Sequence, residues 1–289
     1  MGLAGGVRLK WNQALNRVGR GVRRRRYSEG LKRHGLEEPP EWLKKRAAVT
    51  QREVSNRSVW IIRPRRNPSG RAILYLPGCP LAGPDKRHTR FALRLAVKTG
   101  AEVWLTCSPA DSGADYAQAL HFAEQVYNEL RHVYAKDVVS VCGDSWGACL
   151  ALGLCQRVSR QPSHLILLSP VAGQEAGLSA DLQRKTGRGD PLLTRDTVEA
   201  VNEKWMGGTP ADSPLYNPSF ADCAGLPPVL LIHGKQEIFY PHVEILRHRL
   251  MEAGIPLRTL RRNLYHTWML DRLPEAYAAL REIRFTINA

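Results

Sequence analysis

The sequence predicts an α/β protein: a mostly parallel central sheet with helices on both faces and a small helical cap. Three observations carry this. From Ser58 onward, short β-rich runs alternate with helical patterns. Several strand runs are apolar throughout, as strands covered on both faces must be. One long excursion, 172–217, interrupts the rhythm between two strands, and such excursions serve as lids or binding elements.

The elements follow in order. "SVWIIRP" (58–64) reads as an alternating strand, "RAILYLP" (71–77) as a continuous apolar one and "AEVWLTC" (101–107) as another. "DYAQALHFAEQVYNELRHVY" (115–134) places Ala119, Phe122, Ala123, Val126, Tyr127 and Leu130 at helix spacing. Strand "DVVSVC", helix "WGACLALGLCQRVSR" and strand "SHLILLSP" come next. "LTRDTVEAVNEKWMG" (193–207) gives the excursion one helix. The chain closes with strand "PPVLLIHG", helix "HVEILRHRLMEAG", strand "PLRTLRRN" and helix "PEAYAALREIRFTI".

With 289 residues the chain can bury a substantial core. Its net charge of +15 is unevenly spread. Residues 1–66 hold 18 Lys/Arg against 5 Asp/Glu, and residues 67–289 hold 24 against 22. The basicity therefore belongs to the stretch 1–66, centred on "RVGRGVRRRR", and the chain from 67 onward is nearly neutral; the expected organisation is a basic N-terminal segment, 1–50, and a body at 51–289. That segment has three readings: a solvated basic helix or tail, contact with an anionic membrane surface through Val7, Leu9, Trp11, Leu15 and Val18, or an organelle (mitochondrial) import peptide. No nucleic-acid partner is expected, because no recognition module accompanies the charge. Neither a membrane span nor a secretory leader is expected, since no apolar run has the length for one. The six cysteines match no metal or disulfide spacing and read as buried thiols of a reducing, intracellular and cytoplasmic setting.

The chemistry centres on Gly143-Asp144-Ser145-Trp146-Gly147, a G-x-S-x-G run between an apolar strand and a helix. A turn this tight puts the serine at a strained backbone angle, and the small flanking residues let neighbouring strands and helices close in. The hydroxyl then stands at the sheet's carboxyl edge, above a helix N-terminus that favours developing negative charge. A nucleophile here needs an acid and then a histidine after later strands. Glu237 follows "PPVLLIHG" and His266 follows "PLRTLRRN". His266 would take the serine proton, and Glu237 would orient the imidazole. Read without function, Glu237 is an acid at a helix start and His266 a loop histidine; His233 is the rival base. Asp144 is expected to point away from the nucleophile and to stabilise loops.

These residues resemble the α/β-hydrolase fold, and within it the hormone-sensitive-lipase-like esterases. "GDSWGA" resembles that family's GDSAGG elbow, and "LSP", "LPPVLLIHGKQE" and "YHTW" fall where its later motifs fall. "ILYLPGCPLAGPDKRHTRFALRLAVKTGAEVWLTC" resembles its oxyanion loop with the following helix and strand. The resemblance covers 58–289 and implies a carboxylesterase/lipase-like serine hydrolase; the expected reaction is hydrolysis of small-molecule esters with short acyl chains through an acyl-enzyme, with neither metal nor organic cofactor. It also implies a cap built from the N-terminal segment and the 172–217 insert. One departure stands out. The family's HGGG becomes Pro77-Gly78-Cys79-Pro80, and proline has no N–H to offer an oxyanion. Gly78, Cys79 and Trp146 are the expected donors. The alternative is a weak or inactive binding protein on the same fold. Trp146 is expected to crowd or reshape the pocket floor. Oligomeric state is not legible.

Overall fold

The computed structural model describes residues 36, 38–79, 83–107, 115–135, 138–171, 190–208, 213, 217 and 222–289. Within them the strands are β1 (Ala48–Val54), β2 (Arg57–Arg63), β3 (Ala72–Leu76), β4 (Glu102–Thr106), β5 (Val139–Asp144), β6 (His164–Leu168), β7 (Val229–Gly234) and β8 (Leu257–Arg262). The helices are α1 (Glu41–Lys44), α2 (Lys86–Thr99), α3 (Tyr116–Val133), α4 (Trp146–Arg157), α5 (Arg195–Trp205), α6 (Tyr240–Glu252) and α7 (Pro274–Ile287). A 3₁₀ turn spans Trp268–Leu270.

All eight strands form one sheet in the order β1-β2-β4-β3-β5-β6-β7-β8. β1–β2 and β2–β4 pair antiparallel; every other pair is parallel. The expected mostly parallel, doubly covered sheet is thus the observed one. Alternation assigns the faces. Leu74 of β3, Val141 of β5, Leu167 of β6 and Leu231 of β7 pack with α3, α4, α5 and α6. Ile73, Cys142, Ile166 and Leu230 pack on the other face with α2 and α7. Each fully buried aliphatic side chain contributes roughly 1.5–3 kcal/mol. The two apolar layers therefore cover the sheet on both faces.

Local signals set the element ends. Asp85 caps α2, accepting from the backbone N–H groups of Arg87 and His88, and Gly100 closes the helix in the left-handed conformation. Asp115 and Thr194 cap α3 and α5 in the same way.

Two strands differ from expectation. β2 does not alternate: Val59, Trp60, Ile61 and Ile62 are all buried, because β2 lies between β1 and β4 under helices on both faces. β1 was not anticipated at all. Its Ala48–Glu53 stretch is almost wholly exposed, and no apolar pattern marks it. The expectations for residues 1–35, including the arginine run, and for 172–189 lie outside the described residues. All six cysteines are buried and free. No helix among the described residues is long and apolar enough to cross a membrane.

His242, in the first turn of α6, is buried, and burial alone lowers its pKa from 6.5 to about 4. The fold therefore holds the neutral ring. Its stabilisation is complete above pH 6.5 and is lost as pH falls toward 4, by about 3 kcal/mol over that window. We expect urea midpoints to drop across it and His242→Leu to shrink the drop; an unchanged slope in the variant would contradict this.

Candidate active site

β5 ends at Asp144 and α4 begins at Trp146, so the whole turn between them is Ser145. Its backbone sits at φ 54, ψ −122, a conformation that L-residues adopt only under constraint. Two contacts impose it. The Ser145 N–H donates to the carbonyl of Leu168 at 2.9 Å, tying the turn to the end of β6. Gly147 lies flat against the carbonyl of Leu76, where any Cβ would collide with backbone.

Ser145, Glu237 and His266 come together at the carboxyl ends of β5, β7 and β8, and all three are buried. His266 Nε2 is 2.8 Å from Ser145 Oγ. His266 Nδ1 is 3.5 Å from Glu237 Oε2, an ion-pair contact at the outer edge of hydrogen bonding, as resting sites often show. The other Glu237 oxygen is fully engaged: Oε1 accepts from the Gly234 N–H at 2.5 Å and from Ser169 Oγ at 2.6 Å. The alternative base, His233, is held away, stacked on Tyr240 and facing Glu244, with burial lowering its pKa to about 4.

Gly78 also meets the elbow closely. A Cβ there would lie 2.5 Å from Ser145 Cβ and 2.6 Å from Asp144 Oδ2. The backbone N–H groups of Gly78 and Cys79 have no acceptor among the described residues. The Trp146 N–H occupies the first turn of α4, where helices leave donors unpaired. Pro80 lies outside the described residues. The Trp146 indole is buried and donates to Asn202 Oδ1 at 2.9 Å, fastening α5 of the insert to the elbow.

Several contributors escaped sequence reasoning. Ser169, the serine of "LSP", sits at φ 45 and links three segments: its N–H donates to the Ile232 carbonyl, its hydroxyl to Glu237, and the Thr267 N–H donates to its oxygen at 3.1 Å. Asp190 is buried near the histidine. Its carboxylate accepts from the N–H groups of Leu192, Leu193 and Ile238, so it pins the insert to the segment carrying Glu237. Burial is the largest influence and leaves its pKa raised, only partly offset by the neighbouring His266 and the backbone donors. No periodicity marks Asp190; it is one acid in a polar insert.

A second buried polar cluster underlies the Gly78–Cys79 turn. Asp144 Oδ1 accepts from Tyr75 Oη at 2.5 Å, and Oδ2 is 3.5 Å from His88 Nε2. His88 Nδ1 is 2.7 Å from Asp85 Oδ1, and Cys79 Sγ lies 3.8 Å from both ring nitrogens. Asp144 thus turns from the nucleophile to brace the loop, as expected. In the sequence His88 is one more histidine on a helical pattern; only its tertiary neighbours distinguish it. Burial works against charge on His88, but Cys79, Asp85 and Asp144 outweigh it and raise its pKa well above 6.5. Burial also pushes the Cys79 thiol up, so at neutral pH the charge facing the ring is that of the two carboxylates. Cys79, Asp85 and His88 are the described residues close enough to share a cation, but the imidazole is already bridged to both carboxylates.

A family model described as "alpha/beta hydrolase fold" matches residues 78–270. The chain belongs to the α/β-hydrolase fold family. It is similar to an acetyl-hydrolase of Streptomyces hygroscopicus, 27% identical over 215 residues that make up 72% of this chain and 71% of the relative. It is also similar to an esterase of Acinetobacter venetianus, 29% identical over 217 residues, 71% of this chain and 70% of the relative. Among solved structures, EstE5 soaked with ethyl alcohol superposes with a TM-score of 0.80 at 20% identity, covering 97% of each chain. A hormone-sensitive lipase from a metagenome library gives 0.77 at 20%, covering 93% of this α/β hydrolase and 92% of the other. At such identities the structures speak for the fold. The family read from "GDSWGA" and the later motifs is the one these comparisons return, and the chain is an esterase- and lipase-like α/β hydrolase.

The charge on His88 generates a prediction. Its raised pKa contributes stability in full below pH 6.5 and loses it as pH climbs through the folded value. We expect wild-type stability to decline on alkaline titration and His88→Leu to cost about 3–5 kcal/mol at neutral pH, since it strands the buried Asp144 carboxylate without its cation. Chemical denaturation across pH 6–10 checks both; a variant as stable as wild type at pH 7 would refute the assignment.

Proposed function

We propose that the protein hydrolyses carboxylic esters through an acyl-enzyme, with Ser145 as nucleophile, His266 as general base and acid, and Glu237 as the carboxylate that orients and charge-balances the imidazole. The observation that carries this reading is the 2.8 Å separation of Ser145 Oγ and His266 Nε2 at a strained strand-to-helix turn.

The steps follow from the geometry. His266 accepts the hydroxyl proton as Oγ attacks the ester carbonyl. Charge develops on the carbonyl oxygen, where the N–H groups of Gly78, Cys79 and Trp146 receive it. The histidine then protonates the departing alcohol. Water takes the alcohol's place; its oxygen attacks the acyl carbon as His266 removes its proton, and His266 returns that proton to Ser145 Oγ as the Oγ–acyl bond breaks and the acyl group leaves as a carboxylic acid. Glu237 is suited to its part because Ser169 and the Gly234 N–H occupy its far oxygen, which leaves Oε2 directed at the ring. The acetyl-hydrolase among its relatives favours a short acyl chain as substrate class.

A second reading, a binding protein with little activity, draws on Pro77 and Pro80, which flank the expected oxyanion donors and cannot donate themselves. One assay separates the two. On a short-chain p-nitrophenyl ester we expect turnover by wild type, a loss on the order of 10⁶-fold for Ser145→Ala and about 10⁴-fold for Glu237→Gln. A fluorophosphonate should label Ser145 in wild type alone. Failure of both turnover and labelling would favour the binding protein.

A further inference from the structure

A cleft of about 360 Å³ opens on the face of the sheet covered by α2, between α1, the start of α2 and the turn that follows Leu270. Its charge is one-sided. The side chains of Arg46, Lys86, Arg90 and Arg272 line it, and none of the four has a hydrogen bond or ion pair among the described residues. Two further arginines form its inner wall. Arg87 is tied to Asp271 Oδ1 through Nε at 2.9 Å and to the carbonyl of Thr267. Arg94 spends its terminal nitrogens on the carbonyls of Met269, Leu270 and Asp271, while its buried Nε–H has no acceptor. The one carboxylate among the described lining residues, Asp271, is already committed, with Oδ2 accepting from Tyr265 Oη at 2.6 Å.

Among the described lining residues six cations face one carboxylate whose two oxygens are already engaged, so positive charge is in excess there. Like charges gather stably when a multivalent anion neutralises them, and guanidinium groups match phosphate oxygens in geometry as well as charge. The rest of the wall is apolar: Trp42, Leu93 and Leu270. It offers an aromatic and aliphatic surface beside the charge. The volume suits a small molecule or the head of a larger one.

We propose that this cleft is a binding site for a phosphate monoester or diphosphate, with Arg46, Arg90 and Arg272 as the anion-binding side chains and Trp42 against the attached organic group. The site is separate from the Ser145–His266 pair and does not rest on the esterase reading. It can be filled from solution by a phosphorylated small molecule or from a bilayer by a lipid phosphate headgroup, and the two sources are distinguishable.

The experiment uses the full chain. Inorganic pyrophosphate is titrated calorimetrically into wild type, into Arg46→Gln/Arg90→Gln/Arg272→Gln, and into a control with Arg23 to Arg26 replaced by Gln. Pelleting with phosphatidylcholine vesicles, with and without phosphatidic acid, is run on the same three proteins. All three mutated positions of the cleft are exposed, and ester hydrolysis and circular dichroism should be unchanged. We expect pyrophosphate affinity to fall at least about tenfold in the cleft variant and to hold in the arginine-run control. If phosphatidic-acid pelleting falls with it, the source is lipid; if pelleting depends only on the arginine run, the source is a soluble phosphate ester. Equal pyrophosphate binding by the cleft variant and wild type, or none by wild type, overturns the proposal.

Discussion

The structure turns on the backbone of one residue. Ser145 occupies a conformation that costs on the order of 1–3 kcal/mol, and it does so with no freedom left to relax. β6 holds its N–H, Gly147 lies against the end of β3, and Gly78 closes over it from the loop. Each contact is backbone against backbone or nearly so. That is why the motif needs glycine where it has glycine, and why the strands on either side must end level with β5.

The same economy of space explains the polar groups around the turn. Charges this deep are tolerated only when paired and hydrogen-bonded. Glu237 has Ser169 and a backbone N–H on one oxygen and His266 beside the other. Asp144 has Tyr75 and His88. Asp190 has three backbone donors. Ser169 and Thr267, like Ser145, sit at positive φ. Strain is therefore concentrated in the ring of segments that meet at the sheet edge, and the apolar layers on both faces sustain it.

The departures from the family's oxyanion loop acquire a physical setting. Where that family has a histidine before its glycines, this chain has Pro77, and an imidazole arrives from α2 instead. His88 lies between Asp85 and Asp144, with Cys79 against its ring. The loop is thus braced by a cation from a neighbouring helix.

The sequence by itself determined the layers and the order of chemistry. Continuous apolar strands, helices at regular spacing and G-x-S-x-G between them place a serine at a strand's carboxyl end, with Glu237 and His266 after later strands. These are local or ordered features, and local chemistry encodes them. What only the tertiary structure decided are the partnerships across the chain. β1 is a strand because a hairpin through Ser55 and Asn56, both at positive φ, lays an almost wholly exposed segment on the sheet edge. Ser169, His88 and Asp190 carry no periodicity that distinguishes them from other serines, histidines and acids; their roles come from neighbours 68, 56 and 48 positions away. The partner of Trp146 was hidden for the same reason, since its acceptor Asn202 lies on a helix of the insert. A pattern within one segment records which face is buried. Which distant group will meet that face is settled only when the sheet closes its order of strands.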